Sequence, residues 1–343
     1  MALLRIADIL VVNAGSMSLK LSVVDADDAS RSVASLEDAP AVIAVGHRVV
    51  HGGDRFTEPT LIDDDVLAEL EAVVELAPLH NQPAVDAIKE ARAKLPDAMH
   101  IAVFDTAFHK TLPDVAKTYL LPQRFRERGI HRFGFHGLSV QWASERVPAE
   151  RLVVCHLGGG SSVTAVSNGA SIDTTMGFTP LEGVPMATRA GSLDPGALLY
   201  LLRHGVSLAE LDHALEHESG LTALAGSGDV KTLELDQSAG ARLALDLYCY
   251  RVAQAIAAMA VALGGLDALA FTGGVGENSA AVRAAVCGRL GLLGVDLDLA
   301  INDTVEGEAE IGTSSSLVRV HVVPSREDVV VARACRATRL SRP

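Results

Sequence analysis

The 343-residue chain reads as an α/β protein built from two related halves. Three observations predict this. Short apolar runs alternate with segments of helical spacing, the pattern of strands covered by helices. Sliding residues 10–18 onto 153–161 pairs Val11 with Val154, Gly15 with Gly158 and Ser18 with Ser161, a shift of 143 residues. That shift is far longer than a solenoid repeat and suggests a duplicated domain, although VVxxxG is also a common strand–turn string. Three of the apolar runs end in glycine-rich turns, NAGSMS, HLGGGSS and TGGVGEN.

Taken in order, Ile9–Val12 and the alternation Leu19, Leu21, Val23 predict a hairpin around the first turn. Residues 25–40 read as a loop or weak edge strand, and Ala41–Val50 as a strand ending at two glycines. Segments 64–77 and 83–94 have helical spacing, with Pro83 placed near a helix start. Ile101–Phe104 is a short buried strand leading into Asp105. Leu152–Val154 and the alternation Val163, Ala165, Ser167 repeat the opening hairpin. Asp194 and Pro195 suit a helix start. Ser207 with Glu210 is a capping-box signature for a helix running to about residue 217. A long helix is expected up to about residue 263, then a strand Ala268–Phe271, a helix from about Ser279, and a strand Leu317–Val323 entering PSRED.

Composition narrows the function. There are 29 basic and 43 acidic residues, a net charge of −14, and only 4% aromatics. Nucleic acids and anionic membranes need a basic footprint, so neither is an expected partner. Cys155, Cys249, Cys287 and Cys335 form no CxxC pair, which points away from zinc and from a disulfide framework. The apolar run after Arg5 and Asp8 is too short for a signal segment. The tract Val252–Leu266 falls short of the ~20 residues that span a bilayer. A cytoplasmic setting is expected.

Glycine lets backbone N–H groups approach phosphates closely, and three such turns in company suggest a gripped nucleotide polyphosphate. No GxxxxGK[ST] occurs, so this is no P-loop. Lys20, just after the first turn, can reach phosphate oxygens or be a solvated strand residue. Asn13 could place an oxygen near Mg²⁺, which needs few protein ligands. Arg48 stands among valines and requires an anion. Asp105 ends a strand, where α/β ligands sit, or caps a helix. His136 lies in FGFHG, with core packing as its default. The pairs His47/His51 and His213/His217 read as structural rather than metal-binding. One Arg from each half, Arg48 and Arg189, with a His and an Asp, suits transfer of a negatively charged group.

These strings place the chain closer to a known family. VVNAGSMSLK, GHRVVHGG, PLHNQPA, VFDTAFH, FGFHG, CHLGGGSS, MGFTPLEGVPMATRAGSLDP, FTGGVGEN and VVPSRED resemble, in order, those of the acetate and propionate kinase family. The resemblance implies a duplicated actin-like ATPase (ribonuclease H-like) fold of two domains with an interdomain cleft that closes around nucleotide. The implied domains are residues 1–146, completed by about 328–343, and 147–327. It implies reversible, Mg²⁺-dependent, in-line transfer of the ATP γ-phosphoryl group to acetate, giving acetyl phosphate and ADP. Mn²⁺ is an alternative metal and a homodimer the expected assembly. Propionate or butyrate kinase is the alternative activity, and a catalytically silent nucleotide-binding protein the alternative class.

By the same resemblance Asp105, His136 and Arg189 are catalytic, and Arg48 binds the substrate carboxylate. Val50, Leu79, Phe135 and Pro180 match the pocket for the acyl methyl. Lys20, the segment His156, Leu157, Gly158, Gly159 and Gly160, the segment Asp229, Val230 and Lys231, and the segment Gly274, Val275, Gly276, Glu277 and Asn278 match nucleotide contacts. Asn13 and Glu327 match magnesium positions. The chain departs from the family at Met17, where Ser is usual, at Gly159, where Asn is usual, at Val140 for His, and at Lys231 for Arg. It is also several dozen residues short, mainly between Lys20 and Arg48.

Overall fold

The computed structural model describes residues 8–14, 19–39, 42–76 and 78–340, without the side chains of 75–80. The first glycine-rich turn with Met17, and the Leu79 side chain, lie outside the described residues. The chain divides into two compact units. One comprises residues 1–110, 135–142 and 326–343, the other 111–134 and 143–325.

The first unit holds a six-stranded sheet. Its strands are β1 (Ile9–Ala14), β2 (Leu19–Val24), β3 (Ser30–Val33), β4 (Ala44–Val49), β5 (Thr60–Leu61) and β6 (Met99–Phe104). They lie in the order β3-β2-β1-β4-β6-β5. β1 pairs antiparallel with β2 and parallel with β4, and β4 pairs parallel with β6. Strands buried on both faces need continuous apolar runs, which ILVV and IAVF supply. Helix Pro78–Lys94 contacts β1 and β4, as does the C-terminal helix Glu327–Leu340. The C-terminal helix packs Val329, Val330 and Cys335 against Ile9, Val11 and Ala44. Pro83 lies inside helix Pro78–Lys94 rather than at its start, because the helix begins five residues earlier than its apolar spacing indicates.

The second unit repeats this plan. Its strands are β7 (Arg151–Leu157), β8 (Ser161–Ser167), β9 (Ala170–Thr174), β10 (Ala268–Thr272), β11 (Ala309–Glu310) and β12 (Arg319–Val322). Read from β9, the order is β9-β8-β7-β10-β12-β11, the first sheet's order strand for strand. β7 is antiparallel to β8 and parallel to β10, and β10 is parallel to β12. β1 and β7 therefore occupy equivalent places, as the Val11–Val154 match requires. The duplication expected from the sequence is real.

Helix Ala239–Leu263 is capped by Ser238, whose side chain accepts from Ala241 N, and stops at left-handed Gly264. It is long and apolar enough to cross a membrane by length and composition, so it exceeds the tract expected to fall short. Here Ala244, Tyr248, Val252 and Ile256 bury one face in the unit's core. Helix Leu208–His213 has the expected Ser207 cap, but its continuation Ala214–Glu218 is a π-helical turn. All four cysteines are free and buried.

Candidate active site

In the first unit, the carboxyl ends of β1, β4 and β6 deliver three polar side chains to one place. Parallel register sets Asn13 beside Arg48, and Asp105 directly follows β6. Arg48 makes a two-pronged bond to Asp105, Nε to Oδ1 at 3.0 Å and Nη2 to Oδ2 at 2.6 Å. Its Nη1 donates to Asn13 Oδ1 at 3.1 Å and lies 3.2 Å from Glu327 Oε2. Asn13 Nδ2 donates to the same Glu327 oxygen at 3.4 Å. The Asp105 side chain is 1% exposed, while Arg48 keeps 16% and Glu327 14%. Lys20 stands opposite Asn13 across the hairpin, exposed.

The electrostatics follow from this crowding. Burial disfavours the Arg48 charge, but Asp105 and Glu327 outweigh that and raise its pKa. Burial raises the Glu327 pKa, with Arg48 opposing the rise and Asp105 adding to it. Asn13 and Glu327 present hard oxygens of the kind Mg²⁺ takes. Among the described residues no three His, Cys, Asp or Glu side chains form a metal cage. Any Mg²⁺ here would draw its remaining ligands from phosphates and water.

His136 sits at φ 58, left-handed and strained for a non-glycine residue. The strain is held by its neighbours. The Phe135 carbonyl accepts from His109 Nε2 at 2.9 Å, and Gly137 packs against the Asp105 backbone so closely that no Cβ fits. Val50 and Phe135 are buried, and the His51 ring stands edge-on to Phe135 at 5.3 Å. Asn81 had no assigned role in the sequence, yet its amide exchanges hydrogen bonds with the His51 backbone at 3.0 and 2.9 Å and shapes the turn after Val50.

The second unit gathers the other set. Gly158, Gly159 and Gly160 form the β7–β8 turn. A Cβ on Gly158 would lie 3.8 Å from Gly274 N. Gly159 is exposed with open space around it, so the Asn usual there is missing without steric cause. Ala187 N donates to Gly159 O at 3.2 Å, joining this turn to the loop of Arg189. Arg189 Nε donates to Glu216 Oε2 at 2.8 Å, with 13% of its side chain exposed. Glu216 lies in the π-helical turn, whose own carbonyl accepts from Thr188 Oγ1 at 2.7 Å. Such insertions recur at functional sites.

Other assignments shift in kind. TGGVGEN, expected as a glycine-rich turn, is a six-residue helix Gly273–Asn278 entered from left-handed Gly273. Asp229 is spent capping helix Val230–Leu235, accepting from Thr232 N. Leu157 and Val230 are core side chains that can offer only backbone to a ligand. Lys231 is exposed, His156 partly so, and Pro180 is buried in this unit. In the first unit Val140, which replaces a usual His, is buried.

Residues 29–333 match the model of the acetokinase family. The chain belongs to that family. It is 44% identical over 300 residues to an acetate kinase of Protochlamydia amoebophila, covering 85% of this chain and 76% of the relative. Its structure matches a propionate kinase from Francisella tularensis with a TM-score of 0.89 at 31% identity, over 96% of this chain and 98% of the other. It matches an acetate kinase of Porphyromonas gingivalis with a TM-score of 0.84 at 30% identity, over 96% and 99%. The acetokinase family thus accounts for the two duplicated sheets as an actin-like architecture.

Proposed function

We propose that this chain catalyses reversible transfer of the ATP γ-phosphoryl group to acetate, giving acetyl phosphate and ADP. The observation that carries the reading is the Asp105–Arg48–Glu327 chain of charges, with Asn13, at the carboxyl ends of β6, β4 and β1. In such folds ligands sit outside strand carboxyl ends. An acetate oxygen attacks the γ-phosphorus in line, and the bond to the ADP oxygen breaks as that oxygen takes the electron pair. This chemistry is mostly positioning plus neutralisation of spread charge. Arg48 seats the carboxylate, held in its plane by Asp105. His136 and Arg189 donate to the moving phosphoryl group, Arg189 being oriented by Glu216. Asn13 and Glu327 would hold Mg²⁺, which when bound neutralises phosphate oxygens. Lys20, the segments His156–Gly160 and Asp229–Lys231, and Gly274, Val275, Gly276 and Asn278 contribute the nucleotide contacts.

In this reading Val50 and Phe135, both buried in the first unit, would supply the acyl niche, with Leu79 and Pro180 the other residues that the family resemblance assigns to it. The propionate kinase neighbour favours a second reading, transfer to propionate or butyrate. One methylene changes discrimination by only ~1–3 kcal/mol, so kcat/KM across acetate, propionate and butyrate decides between them. The same reading includes a cytoplasmic homodimer. Helix Pro195–Arg203 buries none of its own residues, while Leu199, Tyr200, Leu201 and Leu202 are 49%, 59%, 39% and 37% exposed. A second copy would cover this face, and light scattering should then give twice the chain mass.

Purified protein with ATP, Mg²⁺ and acetate should yield acetyl hydroxamate when hydroxylamine is present. A folded protein that binds ATP but phosphorylates no short carboxylate would be the silent nucleotide binder instead.

A further inference from the structure

We propose that Glu277 is a positioning residue that ties the helix after β10 to the chain crossover carrying Glu327, and is not a ligand of the nucleotide. Its Oε1 accepts from Gly273 N at 3.0 Å and from Ser325 N at 2.9 Å. One donor opens the GGVGEN helix. The other lies 48 residues beyond Glu277, at the point where the chain leaves the second unit for the first. A carboxylate oxygen taking two backbone N–H groups makes charge-assisted bonds, stronger than neutral ones.

Both ends of this strut are fixed. Arg283 is 2% exposed, and its Nη1 donates to the carbonyls of Gly276 at 3.0 Å and Glu277 at 2.8 Å. Its remaining nitrogens go to Asn302, Nε to Oδ1 and Nη2 to the carbonyl, both at 2.8 Å. The Glu277 backbone therefore cannot drift. At the near end, Gly273 stands at φ +79, and a Cβ there would meet the Leu157 carbonyl oxygen at 2.7 Å, so the helix start is pressed onto the end of β7. At the far end, Val323 N donates to Phe271 O at 2.9 Å, extending the β10–β12 ladder. Ser325 is thus tied two residues before Glu327, and Arg326 between them donates to the Asp28 carbonyl at 2.9 Å. The Glu277 carboxylate thus fixes the backbone of the second unit's last residue, two positions before Glu327 in the chain. Oε1 is taken twice by the protein's own backbone, which favours a positioning role over nucleotide contact.

The kinetic half of this inference rests on the phosphotransfer reading; the clamp itself does not. Hydrogen exchange resolved to Ser325 tests the clamp on the full-length protein. In Glu277→Ala the Ser325 amide should exchange about tenfold faster or more, the scale of losing a hydrogen bond to a charged group. Glu277→Asp, whose carboxylate is withdrawn by one methylene, should show the same trend in a milder substitution. Glu277→Gln keeps the accepting oxygen and should restore most of the protection. In acetate phosphorylation, Glu277→Ala should lower kcat with the ATP KM little changed, and Gln should recover most of that rate. Unaltered Ser325 exchange in both Ala and Asp variants would overturn the clamp. A raised ATP KM at constant kcat would make Glu277 a nucleotide ligand and overturn the assignment. If the wild-type protein phosphorylates no carboxylate, the proposed function fails while the exchange result still decides the clamp.

Discussion

Gly137→Ala sets two physical effects against each other. Gly137 is the first residue of helix Gly137–Arg146. Helix propensity alone would make Ala the better residue there by up to ~1 kcal/mol. The site has no room for it. A Cβ would stand 2.8 Å from Phe108 Cβ and closer still to the Asp105 carbonyl oxygen, where carbon–carbon contacts normally settle near ~3.5–4.0 Å. Relief needs a movement of about 1 Å, and overpacking of this kind costs ~1–3 kcal/mol, so sterics wins. The residue displaced is Asp105, whose carboxylate holds Arg48 at 2.6 and 3.0 Å. A misplacement of ~1 Å in a positioning group costs about 100-fold in rate. Urea unfolding and the hydroxamate assay read the two losses separately. Gly159→Ala, at an exposed glycine with open space around it, is the stability control and should leave the urea midpoint unchanged. A Gly137→Ala protein as stable and as active as wild type would refute the close packing of the FGFHG turn on Asp105.

Two further outcomes follow from the same geometry. Arg48→Ala should mainly raise the acetate KM, whereas Arg189→Ala should mainly lower kcat; equal, mild changes in both constants for both variants would undo the assigned roles. Stability should fall as pH drops from about 6.5 towards 5. Burial, with His100 adding to it, holds His47 down to about 3, and burial holds His109 down to about 4 against the opposing Phe135 carbonyl and Asp105. Both stay neutral in the folded protein while the unfolded chain takes up protons below its ordinary value, so each removes about 1.4 kcal/mol per pH unit in that window. Urea midpoints at pH 7 and 5 measure this. His47→Gln should flatten the slope by one group's share, and an unchanged slope would show that His47 is not the buried neutral group described.

Much of the site was legible because its chemistry is local. Arg48 among valines demands an anion wherever the chain places it, and Asp105 stands at a strand end, where ligands sit in α/β sheets, although its side chain is buried against Arg48. The repeated strand–turn pattern at Val11 and Val154 is a covalent record of duplication, and both sheets follow it. Direct hydrogen-bond partners were not legible from spacing; only the family resemblance had put Asn13 and Glu327 together. Asn13 meets Glu327 across 314 positions, and Arg189 meets Glu216 through a π-helical turn that no spacing announced. Glu216 in HALEHES reads as a solvated helix charge until the turn aims it inward. TGGVGEN, expected as a turn, is a short helix whose two ends are held by Glu277 on the Gly273 amide and by Arg283 on the Gly276 and Glu277 carbonyls.

The sequence by itself determined the central strands, the duplication and the residue types that reaction chemistry requires, since periodicity and motif spacing are written along the chain; the short edge strands β5, β9 and β11 carry no such pattern. Only the tertiary structure decided which charge neutralises which, why Gly137 must lack a side chain and what Glu277 holds. Those facts depend on distances between segments far apart in sequence, and packing alone sets them.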